Sequence, residues 1–241
     1  MQSITIDSTV GDIVSADFRT AGIFEEHGID FCCGGKLSLG QACEKKGLDA
    51  SAILGTLSAA TEVQTGASLD FAQWDAAVLA QYIIDTHHRY VSRALPLIHG
   101  HAQKVAGAHG ANHPETIRIA TIFDTVKADL EQHMMKEEQI LFPYITRLSL
   151  AARSGDGGGV PQFGTVRNPI VMMETEHENV GRDLEDMRTL SADYAIPADS
   201  CTTFSTLYRE LEEFERDLHV HIHLENNILF PKALALEESL R

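Results

Sequence analysis

The chain writes one short string twice. Asp129-Leu130-x-x-His133-x-x-x-Glu137-x-x-Ile140-Leu141-Phe142-Pro143 recurs as Asp217-Leu218-x-x-His221-x-x-x-Glu225-x-x-Ile228-Leu229-Phe230-Pro231. Residues four apart share a helix face, so each copy aims an imidazole and a carboxylate at one point. A single His-x-x-x-Glu is common on solvated helices. The same pair repeated in the same apolar frame predicts two facing helices, each carrying half of a polar site.

The surrounding residues extend that frame. Trp74, Ala77, Gln81, Ile84, His88, Val91, Leu95 and Ile98 draw one stripe at spacings of three and four. A second helix, opened by Pro114, lines up Ile119, Phe123, Val126, Leu130, His133, Glu137, Ile140 and Tyr144. After a Gly-rich connection from Ser154 to Gly164, a third presents Ile170, Met173, His177, Val180, Leu184 and Met187. A fourth, after a turn near Pro197, presents Phe204, Leu207, Leu211, Phe214, Leu218, His221, Glu225, Ile228 and Lys232. His88 and His133 are 45 residues apart, and His177 and His221 are 44 apart. Each half of the repeat thus supplies a lone histidine and then a His/Glu pair. Four amphipathic helices in succession predict an all-α, up-down bundle, and strand signals are nearly absent.

Residues 1–62 read differently, as short helices broken by Gly22, Gly28, Gly34, Gly35, Gly40 and Gly47, with Ser8 or Thr9 and Ser15 as starts. The polar stretch from Glu62 to Ser68 marks the boundary with the bundle, expected over 70–238. A chain of 241 residues, 44% hydrophobic, has room for both without covalent staples. Its formal charge of −16 repels phosphate backbones and anionic lipids, which argues against nucleic-acid or membrane partners. Met1 to Val10 show no secretory pattern, and no apolar run approaches a membrane span, so a cytoplasmic location is expected.

Four imidazoles and two carboxylates inside a core demand compensation, since an unsatisfied polar group costs about 1 to 3 kcal/mol and a lone charge more. Coordination supplies it. His88, His133, Glu137, His177, His221 and Glu225 are too many donors for one tetrahedral zinc and suit two metals, with the glutamates as bridges and the histidines as terminal ligands. The competing reading is a bundle whose polar groups satisfy one another. Phase with Ile84, Val91 and Leu95 favours His88 over His87. Asp129, Glu174, Glu176 and Asp217 are candidates for partners of the histidines or for an acidic ion path, and ordinary solvated acids are an equal reading. Helix rotation points His219 and His223 to solvent, and His27, His99, His101, His109 and His113 read as surface residues.

The four cysteines lack the spacing of a disulfide framework. Cys32-Cys33-Gly34-Gly35 places two thiols at a glycine-rich turn, available for metal, sulfur, redox or client contact; the alternative is a tight turn that buries one small residue. Cys43 and Cys201 are expected in the core.

Asp30-Phe31-Cys32-Cys33-Gly34-Gly35 and the run from His133 to Pro143 together resemble the iron-sulfur cluster repair di-iron proteins of the ScdA and RIC type, over nearly the whole chain. That resemblance implies a hemerythrin-like four-helix bundle behind a small helical N-terminal domain. Matching Glu176-His177-Glu178 and His221-x-x-x-Glu225-Asn226-Asn227 to the family's motifs implies the same six ligands, with His87 or His88 alignable as the first. It further implies two non-haem iron ions, carboxylate and oxo or hydroxo bridged, and damaged iron-sulfur proteins as clients. Nitric oxide or oxygen is the implied ligand, and a homodimer the implied assembly. On this reading the chain repairs clusters after nitrosative or oxidative stress by donating iron or binding nitric oxide, with no catalytic residues of a conventional enzyme. The alternatives are an oxygen or nitric oxide sensor, and a nitric oxide or peroxide reductase.

Overall fold

The computed structural model describes residues 4–62, 70–155, 159 and 161–241. Residues 63–68 of the polar boundary, and 156–158 and 160 of the Gly-rich connection, lie outside the described residues. The described residues form helices and one isolated bridge, Thr9 to Ser38. No described helix is long and apolar enough to cross a membrane.

Contacts divide the molecule into two units. One is drawn from Met1–Leu79, Leu148–Gly158 and His219–Arg241, the other from Ala80–Arg147 and Gly159–Leu218. This partition follows packing rather than chain order, so the last helical segment is grouped with the N-terminal helices.

The first unit opens with α1 (Val10–Ala16), α2 (Ala21–Glu26), α3 (Leu39–Lys46) and α4 (Ala50–Glu62). Thr9 caps α1 by accepting from the Asp12 amide at 3.2 Å, whereas Ser15, expected to start a helix, lies inside α1. Ser38 and Gln41 form a reciprocal capping box on α3, which ends at Gly47 with φ of 67°. Val10, Phe24, Phe31, Leu39, Cys43 and Leu57 are buried together at the centre of these helices.

The helices that follow are α5 (Ala76–Ile83), α6 (Arg89–His109), α7 (Pro114–Lys136), α8 (Phe142–Ser154), α9 (Arg167–Leu190), α10 (Thr202–His223) and α11 (Phe230–Ser239). Val91, Leu95, Phe123, Val126, Leu184, Leu211 and Phe214, from α6, α7, α9 and α10, share the core of the second unit. This is the expected four-helix bundle.

Three helix pairs are joined without a break by π turns: Ile84–His88, Glu137–Leu141 and Leu224–Leu229. A π turn bonds i to i+5 and so absorbs one extra residue, which shifts the phase of every side chain across it. The face buried before the first turn is Ala76, Leu79, Ala80 and Ile83, the turn itself buries His87 and His88, and after it come Val91, Leu95 and Ile98. The expected stripe ran straight through: Gln81 is exposed, and Trp74, Ala77 and Ile84 are only partly buried. Ile140, expected inward, is 50% exposed, and Leu141 takes its place. Helix α9 has no such turn, and Ile170, Met173, His177, Val180, Leu184 and Met187 are all buried as its period predicts.

Candidate metal centre

In the second unit, α6, α7 and α9 bring His88, His133, Glu137 and His177 into a water-excluded interior, each at most 2% exposed. Glu137 Oε2 lies 3.4 Å from His88 Nε2 and 3.3 Å from His133 Nε2. His177 Nε2 lies 3.0 Å from His133 Nε2. The other ring nitrogens face outward to carboxylates: His88 Nδ1 is 2.8 Å from Glu138, and His133 Nδ1 is 2.8 Å from Glu176. An ionised carboxylate only accepts, so each Nδ1 carries the proton and each Nε2 directs a lone pair toward Glu137. Lone pairs converging on a carboxylate oxygen repel one another unless a cation sits among them. Two imidazole nitrogens about 2.1 Å from one ion and at right angles to each other are about 3.0 Å apart, which the His133–His177 separation matches. The donor set fits a metal.

The hydrogen bond from His133, then the Lys136 ammonium, hold the Glu176 carboxyl at about 2 against the opposing effect of its burial. A glutamate kept charged in this way keeps the imidazole basic toward a metal. Stacked on His88, Phe142 fixes that ring at a centroid distance of 5.6 Å.

In the first unit, His221 Nε2 is 3.0 Å from Glu225 Oε1, one helical turn apart on α10 and the π turn that extends it. Both are buried.

The remaining expected residues fall in several places. Asp217 holds His87 Nδ1 at 3.0 Å, so the neighbour of His88 is buried as well and turned to a different partner. Glu174 is partly buried, while Asp129 is exposed and raises the carboxyl of Asp183, in second place after burial. Cys32 is buried and Cys33 half-buried, and all four cysteines are free thiols. Cys43 is in the core as expected, but Cys201 is exposed, because it precedes the first turn of α10. His223, expected in solvent, is fully buried, with Nδ1 3.4 Å from the Phe31 carbonyl, and burial pushes it down to about 4. His219 is half-buried with its ring 6.1 Å from that of Phe31. The five histidines expected at the surface are partly buried, and His113, one of them, bridges Glu115 at 2.8 Å and Asp199 at 3.1 Å. Sequence reasoning missed Glu138, Asn227 and the burial of His223. The doubled acids Glu137-Glu138 and the doubled amides Asn226-Asn227 were the visible signals for the first two.

A buried His/Glu cluster in a helical bundle defines a cation-binding protein. Residues 79–233 match the hemerythrin HHE cation binding domain, and residues 6–61 match the ScdA_N domain, described as of unknown function. The chain is 36% identical over 228 residues to the iron-sulfur cluster repair protein YtfE of Yersinia pestis (strain Pestoides F), covering 95% of this chain and 97% of that one. The YtfE of Yersinia pseudotuberculosis serotype O:1b (strain IP 31758) matches with the same identity and coverage. The chain therefore belongs to the family of iron-sulfur cluster repair proteins that carry a hemerythrin HHE domain.

Proposed function

We propose that this protein restores damaged iron-sulfur clusters, and that it does so with two iron ions held by His88, His133, Glu137, His177, His221 and Glu225. The observation that carries the reading is the convergence of His88 Nε2 and His133 Nε2 on Glu137 at 3.4 and 3.3 Å, with each Nδ1 committed to a carboxylate. Iron held there would supply redox-active, exchangeable metal able to take a small ligand such as nitric oxide or oxygen.

The residues do the rest. Glu138 and Glu176 fix the tautomers of His88 and His133, and the apolar packing of the bundle keeps water from the carboxylates. Glu137 and Glu225 are assigned as the two bridging carboxylates. The clients are iron-sulfur proteins damaged by nitric oxide or oxidants, reached in the cytoplasm, and the working form is a homodimer.

The test is transfer. Protein loaded with iron anaerobically is incubated with a nitrosylated or cluster-free ferredoxin, and cluster absorbance is followed. Recovery of the cluster by the wild type and not by Glu137→Ala is expected. A chain that holds its iron and changes its spectrum reversibly with nitric oxide or oxygen, without any cluster recovery, would replace repair with sensing. Catalytic consumption of nitric oxide or peroxide with an added reductant, again without recovery, would replace it with a reductase.

A further inference from the structure

The turn that carries Cys32 and Cys33 is held from both sides. Asp30 Oδ1 accepts from the amides of Cys32 and Cys33 at 2.9 Å each, and Oδ2 accepts from the Gly34 amide at 2.8 Å. From the opposite side the Asn227 amide donates to the carbonyls of Phe31 at 3.3 Å and Cys32 at 3.1 Å. A Cβ on Gly11 or Gly35 would come within 2.6 or 2.5 Å of Asn227 Oδ1, so both positions must stay bare for Asn227 to reach the turn. Phe31 is buried with its ring 5.6 Å from that of His223, which anchors the residue before the thiols. Such a turn cannot rearrange freely, and the positions of its sulfurs are set by the fold.

Those positions suit a cation better than a disulfide. Cys32 Sγ and Cys33 Sγ are 4.0 Å apart, whereas a disulfide needs about 2.05 Å. Two thiolates about 2.3 Å from one tetrahedral ion lie about 3.8 Å apart. Asp30 Oδ1 is 3.1 Å from Cys32 Sγ and completes a group of three donors whose ligand atoms lie within 4.8 Å of one another.

We infer that Asp30, Cys32 and Cys33 form a second cation site, of two sulfurs and one oxygen, for a thiophilic divalent ion. It is graded in exposure, with Cys32 buried, Cys33 half-buried and Asp30 exposed, so an ion held there would be reached from the Asp30 side. At rest the Cys32 thiol donates to Asp30, and its hydrogen bond with Cys33, then burial, hold it in the protonated form. Binding therefore exchanges thiol protons for the cation, M²⁺ with two thiols giving the dithiolate complex and two protons, and strengthens as pH rises. The site shares no residue with the histidine and glutamate donors and does not depend on the iron reading above.

Cadmium is the probe, since its ultraviolet charge-transfer band reports sulfur ligands only. In a Cys201→Ser background, which removes the exposed thiol, titration of the full chain should give a thiolate band that saturates at one ion per chain. Cys32→Ser and Cys33→Ser should each abolish that stoichiometric band, and Asp30→Asn and Asn227→Ala should weaken binding about tenfold or more. His177→Ala, which breaks the histidine cluster, should leave the band intact. Cadmium NMR of the wild type, which needs no variant to fold, should show a resonance typical of two sulfur ligands. Absence of the band in the Cys201→Ser protein, or its survival when Cys32 and Cys33 are both replaced, would overturn the inference.

Discussion

Helix α9 and the run from α5 through the first π turn into α6 carry the same kind of apolar stripe with a histidine in it, yet only α9 obeys a single period from end to end. Its buried residues run Ile170, Met173, His177, Val180, Leu184, Met187 with nothing out of phase. The stripe leading into α6 breaks at the π turn Ile84–His88, so that two adjacent histidines are buried, His88 against Glu137 and His87 against Asp217. The other two π turns, Glu137–Leu141 and Leu224–Leu229, also contain an expected metal ligand, Glu137 and Glu225. A regular helix delivers one donor per face. A helix with an absorbed extra residue can turn two neighbouring positions inward, which a polar centre needs and a plain core does not.

The largest test of this difference is to remove one residue from each kind of helix. Deleting Thr175 from α9 rotates one flank by about 100°. Turning Val180, Leu184 and Met187 out of the core forfeits about 5 to 9 kcal/mol, comparable to the stability of a whole domain, so no folded protein is expected by circular dichroism. Deleting Thr86 from the first π turn should instead heal it to a regular helix with both flanks in place. Helicity and metal binding should survive, and the His87–Asp217 contact should be lost. If both deletions unfold the chain alike, the π turn is not an absorbed insertion.

A smaller effect separates neighbours within the second turn. Leu141→Ala should destabilise by about 2 to 5 kcal/mol, and Ile140→Ala, at a position 50% exposed, should stay within about 0.5 kcal/mol in denaturant unfolding. Equal values would mean that the turn does not shift the phase. Smaller still, Glu138→Gln and Glu176→Gln should fold normally and weaken metal binding, by about tenfold for the more exposed Glu138 and up to about a hundredfold for Glu176. Metal titration with unchanged affinity in both would remove them from any role beside the histidines.

The same contrast explains what could be read from the residues alone. The helix class and every buried position of α9 followed from period, because a stripe with one spacing has one face. His88, His133, Glu137, His177, His221 and Glu225 were singled out because the repeat placed each relative to its own local neighbours, and phase errors do not accumulate over one turn. Ile140 departs from the expected stripe because it lies within a π turn, which leaves no mark in an apolar pattern, and Trp74 because it precedes the start of α5 at Ala76. His223 was assigned to solvent from rotation about α10 alone, and only the folding of Phe31 and Ser15 against it, with Ser15 Oγ 3.4 Å from its Nε2, buries it. Cys201, expected in the core as cysteines most often are, lies just ahead of the start of α10, a place that depends on where the preceding turn ends.

The central claim is that the six donors together hold two iron ions. The direct measurement is metal content per chain in protein purified without chelators or added metal, with the visible spectrum of the same sample. Two irons per chain with oxo-bridged charge-transfer bands, lost in Glu137→Ala, is the predicted result. A single zinc, or no metal even after anaerobic loading with iron, would contradict it and leave a helical bundle whose buried polar groups serve one another.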